Sequence, residues 1–107
     1  MDRYKRKKVV NLDESIIKSI LEIGSRYDIE KIVLFGSRAR GDNKKTSDID
    51  LAVYCDEDLN DESRIYFELE DMNTLLKIDV VFINSGTDKR LIENIEKEGV
   101  IVYERKQ

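Results

Sequence analysis

Three carboxylates and a glycine-serine pair are the residues best placed to do chemistry. Gly36 and Ser37 follow the apolar run KIVLF at 31–35. Ten residues, Arg38 to Ser47, then separate Ser37 from Asp48, and Asp48 and Asp50 open the run DIDLAVY at 48–54. In an extended strand, alternate side chains share a face, so this pair would stand roughly 6–7 Å apart on one side. Asp79 is the charged residue inside a later apolar run, KIDVVFI at 77–83. If the two runs are neighbouring strands, Asp79 joins the pair. Carboxylates gathered on one sheet face repel one another and are costly to desolvate unpaired. A hard divalent cation answers both problems with oxygen ligands.

Each part has a plainer reading. An Asp-x-Asp at a strand start is often only solvent-facing, and a glycine after a strand often only turns the chain. The combination is more telling. Gly36 lets the backbone approach a ligand closely, and Ser37 offers a hydroxyl and an N–H. If Arg38–Arg40 begin a helical turn, its leading N–H groups suit an anion. Arg38, Arg40, Lys44 and Lys45 add positive charge nearby. A phosphate cradle beside a carboxylate metal site is the equipment of nucleotidyl transfer from a nucleoside triphosphate.

The chain has no histidine and one cysteine, Cys55. Ser-His-Asp and Cys-His catalysis are therefore excluded within it, as are zinc sites of Cys and His. Any metal would take oxygen ligands, which points to Mg²⁺, Mn²⁺ or Ca²⁺. An intrachain disulfide is impossible, which suits a reducing compartment.

The elements that must position these residues follow from periodicity. Leu12, Ile16, Ile20 and Ile23 recur at helical spacing with Ile17 and Leu21 beside them, ending near 24–27. Asn11 and Glu14 have the spacing of an N-cap and its reciprocal partner. KIVLF reads as a buried strand. In 48–54, Ile49, Leu51 and Val53 point one way, and Asp48, Asp50 and Ala52 the other. Ile65, Leu69, Met72 and Leu76 mark one face of a second helix, and 77–83 is a third strand. Leu91, Ile92 and Ile95 sit on a short helix that Gly99 ends, and 100–103 is a last strand. The expected class is α+β (mixed α/β), a mixed sheet of about four strands flanked by helices.

At 107 residues the chain suits one domain, spanning 1–107 with a basic arm at 1–10. It is 39% charged with a net charge of −4, which argues against general nucleic-acid binding, and no direct nucleic-acid role is expected. The crowd of Arg3, Lys5, Arg6, Lys7 and Lys8 is either a solvated arm or one that touches RNA or an acidic partner. No apolar run approaches the ~20 residues of a membrane span, and no secretory leader is visible, so a cytoplasmic location is expected.

Gly36-Ser37, ten residues, Asp48-x-Asp50, and Asp79 on a later strand resemble the signature of the DNA polymerase β-type nucleotidyltransferases. The string GSRARG…SDIDLAV is similar to the minimal nucleotidyltransferases (MNT), over about residues 12–103. The resemblance implies that Gly36 and Ser37 hold the triphosphate of ATP, with Arg38 and Arg40 on the same side. It implies that Asp48 and Asp50 bind two Mg²⁺ ions, with Asp79 at the metal helping to position or deprotonate the attacking hydroxyl. Arg38 stands where relatives often carry an aromatic residue. Minimal members often act as antitoxins paired with a HEPN-domain ribonuclease toxin, resembling AMP transferases that modify a toxin tyrosine. A hetero-oligomer with such a toxin is the implied assembly. The rival expectations are an antitoxin that neutralises by contact alone, and a small-molecule nucleotidyltransferase.

Overall fold

The computed structural model describes residues 12–56, 61–72 and 74–106. The elements run in the order α1 (Glu14–Arg26), β1 (Lys31–Phe35), α2 (Ser37–Arg40), β2 (Ile49–Tyr54), α3 (Glu62–Glu70), β3 (Ile78–Ile83), α4 (Lys89–Glu98) and β4 (Val100–Glu104). The strands form one mixed sheet in the order β3-β2-β1-β4. β1 is antiparallel to both β2 and β4, whereas β2 and β3 run parallel. A parallel neighbour needs a crossover, and α3 supplies it.

The alternation in β2 sorts its side chains between two cores. Ile49, Leu51 and Val53 join Ile16, Ile20 and Ile23 of α1 and Ile65 and Leu69 of α3 in the main core. Ala52 faces the other way, against Val33 of β1 and Ile95 of α4. β1 lies inside the sheet, and its central residues Ile32, Val33 and Leu34 are buried. This is why KIVLF carries no alternation: both of its faces are covered. The edge strand β3 is covered less completely. Only Ile78 of β3 is buried, and the remaining five residues are half-exposed.

The expected class, sheet and strand positions match, with adjustments at the ends. β2 begins at Ile49 and β3 at Ile78, so Asp48 and Lys77 stand just outside the ladder. α3 ends at Glu70, earlier than the apolar spacing suggested. Met72 stays buried but lies in the connection, where the Thr74 N–H donates to the Met72 carbonyl at 2.7 Å and the Leu76 N–H to Thr74 Oγ1 at 3.1 Å. Those local bonds turn the chain toward β3 before another helical turn can form. α1 starts at Glu14 with Asp13 as its N-cap, and Asp13 makes no side-chain capping bond. Asn11 and the basic arm at Arg3–Lys8 lie outside the described residues. No helix among the described residues is long and apolar enough to cross a membrane.

Candidate active site

The parallel ladder sets Asp50 directly opposite Asp79, between Ile49↔Ile78 and Leu51↔Val80. Neighbouring strands lie about 4.8 Å apart, so two carboxylates issue side by side from one sheet face. It is the α4 face, because Asp50 shares the side of Ala52 and Tyr54. Asp48 is two residues back on the same chain and exposed. The sheet thus brings Asp50 and Asp79 together on one face, with Asp48 near enough for its charge to act on Asp50.

Asp50 is the most constrained of the three. Its carboxyl is held above the ordinary aspartate range, first by burial, then by the negative charges of Asp79 and Asp48, with Arg40 opposing weakly. Phe35 lies directly across the β1–β2 ladder from it. Gly36 explains the close fit on that side. Its backbone sits at φ 80°, ψ −156°, a region essentially restricted to glycine, and a Cβ there would overlap the Asp50 carboxylate. The glycine expected to admit a ligand therefore admits first a carboxylate of the protein itself.

After Gly36 the chain turns at once into the short helix α2. The Ala39 and Arg40 N–H groups both donate back to the Gly36 carbonyl at 3.1 Å, so Ser37 precedes the first internal bond. Gly41, at φ 89°, closes the turn in the left-handed region. Arg40 spans from α2 to α4, bonding Asp42 and Glu98, each at 3.2 Å. Lys77 Nζ lies 3.6 Å from Asp79 Oδ1, an exposed pair beside the site.

Arg38 is placed differently from Arg40. It is only 7% exposed. Its Nε donates to the Ser47 carbonyl at 3.1 Å, and its Nη2 to the Lys45 and Lys44 carbonyls at 3.0 and 3.4 Å. It lines a cleft with Leu12, Ile16, Ile49 and Leu76, on the α1 side of the sheet and behind the carboxylates. Its side chain is not brought to the face that Asp50 and Asp79 share. Sequence reasoning also missed Lys77 and Glu98. Lys77, directly preceding the Ile78-Asp79 pair, was the one visible signal.

The donor set suits a hard divalent cation: three carboxylates, mutually repelling, with oxygen as the only ligand type. Among the described residues no three such groups stand close enough together to hold a metal ion by themselves.

The family model described as Polymerase beta, Nucleotidyltransferase matches residues 17–107. The chain belongs to the polymerase β-type nucleotidyltransferase family. It is therefore an enzyme of nucleotidyl transfer. Among its relatives is the Methanocaldococcus jannaschii protein named "Putative protein adenylyltransferase MJ1215", 37% identical over 86 residues, which cover 78% of this chain and 98% of that one. Among solved structures, this nucleotidyltransferase is similar to a toxin–antitoxin crystallised with AMP-PNP (TM-score 0.59, 22% identity, 85% of this chain and 75% of that one). It is also similar to a mutant of the toxin–antitoxin MntA–HpeT (TM-score 0.65, 21% identity, with the same coverage). At those identities the two structures show a shared fold.

Proposed function

We propose that this nucleotidyltransferase is a cytoplasmic protein adenylyltransferase, an antitoxin that moves AMP from ATP to a tyrosine hydroxyl of a HEPN-domain toxin. The observation that carries the reading is the register Asp50↔Asp79 on adjacent parallel strands, with Asp48 on the same chain and Gly36 fitted against Asp50. The name of MJ1215 supports a protein as the acceptor, and those of the toxin–antitoxin structures support a toxin as that protein.

Each residue has a task in this reading. The backbone at Gly36–Ser37 and the Ser37 hydroxyl receive the triphosphate, and Arg40 sets positive charge beside it. Arg38, though in α2, turns its guanidinium to the carbonyls of the loop 44–47 and not to this face. Asp48, Asp50 and Asp79 would hold two Mg²⁺ ions, which supply neutralisation of the triphosphate charge. Asp79, on the half-exposed edge strand, accepts the proton of the incoming hydroxyl. The oxygen attacks the α-phosphorus, the bond from that phosphorus to the bridging oxygen breaks, and pyrophosphate leaves. The acceptor oxygen must come within roughly 3–3.5 Å, in line with that leaving group. The open α4 face over β2 and β3 gives a protein loop room to do this.

The test is incubation with labelled ATP, Mg²⁺ and the HEPN partner, followed by mass spectrometry of the partner. One or more AMP additions on a tyrosine are expected with wild-type protein and none with Asp79→Asn. A partner that stays unmodified, yet is neutralised equally well by Asp48→Asn protein, establishes contact alone as the mechanism.

A further inference from the structure

We infer that Arg38 is a positioning residue, a clamp that sets Asp48 against Asp50 from behind the sheet. The inference rests on the proposed cation site and deepens it. Asp48 lies outside the β2 ladder, which begins at Ile49; the Ile49 N–H on the Lys77 carbonyl at 2.9 Å holds the peptide unit that follows Asp48, but not the one that precedes it. What precedes it is the loop 41–47. The Ser47 carbonyl belongs to the peptide unit whose nitrogen is that of Asp48. Because that unit is planar, holding its oxygen fixes the direction in which the Asp48 backbone leaves. Arg38 Nε does so at 3.1 Å.

The rest of the fork closes on the same loop. Nη2 reaches the Lys45 carbonyl at 3.0 Å and, more weakly, that of Lys44 at 3.4 Å. The loop is also tied to itself, with the Ser47 N–H on the Lys44 carbonyl at 3.0 Å and the Lys44 N–H on Ser47 Oγ at 2.8 Å. A planar guanidinium with several fixed donors can hold successive carbonyls at once, which an ammonium on a flexible stem does poorly. Arg38 is buried, and the cleft it lines is on the α1 side, away from the carboxylate face. It leaves the chain immediately after Ser37, within α2. One residue thus ties the element expected to seat phosphate to the segment that delivers Asp48.

The clamp predicts a split between two affinities. In Arg38→Gln protein, amide exchange across 44–48 should quicken at least tenfold while β1 and the core of β2 keep their protection. Mn²⁺ affinity, read by calorimetry or paramagnetic resonance, should fall at least fivefold, with ATP affinity in chelator changed less than twofold. Arg38→Lys, which keeps the charge and loses the fork, should show the same pattern. Equal loss of metal-free ATP affinity would mean a direct phosphate contact and overturn the clamp, as would unchanged exchange at 44–48 or a loss of protection spread evenly over the sheet. If neither variant folds, the wild-type protein decides: the Arg38 Nε–H signal should exchange slowly and couple through its hydrogen bond to the Ser47 carbonyl, and a freely exchanging signal would refute the clamp. Wild-type protein that binds no Mn²⁺ sinks the cation reading, and the clamp then stands or falls on the exchange data alone.

Discussion

Asp50 carries its charge where charge is disfavoured, and this has a signed consequence. Its carboxyl is raised by burial and by Asp79 and Asp48, so the folded chain holds a proton at a pH where the unfolded chain has lost it. Stability contributed by this group is present below the ordinary aspartate range and is lost as pH rises through the raised value. At neutral pH the charged, metal-free site is therefore a liability. Apo Asp50→Asn should melt no lower than wild type at pH 7, with the difference shrinking on acidification, while transfer activity drops to background. Calorimetry across pH checks the first part, and wild-type turnover by a folded variant would refute the second. Cation affinity should weaken on acidification at a higher pH than an unperturbed aspartate would give. Gly36→Ala makes a complementary case. The new methyl meets the Asp50 carboxylate in a backbone region costing about 1–3 kcal/mol for other residues. A folded variant with nucleotide binding at least tenfold weaker is expected, read by titration of an ATP analogue.

Among the elements, α4 covers the second face at the centre of the sheet, over Val33 and Ala52, and its start is chemically defined. Asp88 Oδ1 accepts the Arg90 N–H at 3.1 Å, and Asp88→Ala should cost about 1 kcal/mol in denaturant unfolding. This cap, like α2, shows what patterning leaves out. The strands were legible because β2 must sort its side chains between two cores, and Asp50 and Asp79 stood out as charges where that sorting left apolar neighbours. The length of α3 was not legible, because Met72 is buried whether or not it is helical. The task of Arg38 was hidden for another reason. A basic residue beside Ser37 looks the same in sequence whether its guanidinium faces phosphate or turns behind the sheet to hold carbonyls. Only the loop's path separates the two, and no periodicity encodes a loop's path.

For the molecule as a whole, binding and stability are linked through the row of aspartates. Mg²⁺ with a non-hydrolysable ATP analogue should raise the melting temperature, since a ligand at 100 times its Kd adds about 2.7 kcal/mol. Ser37→Ala should lose part of that gain, because the hydroxyl goes while the backbone N–H remains. No shift at saturating ligand would refute a nucleotide site. The same linkage is unevenly spread. β3 is an edge strand, held on one side by a parallel pairing that places Asp79 level with Asp50. The Asp79 charge opposes that of Asp50 across the very pairing that creates the site, so this edge should fray more easily than the sheet interior when no cation is bound. A cation bound there would close the edge by removing that opposition. Mg²⁺ should therefore slow amide exchange in β3 more than in β1. The reaction centre would then also be the latch of the sheet, and the enzyme would be most firmly shut along that seam when it is charged to react.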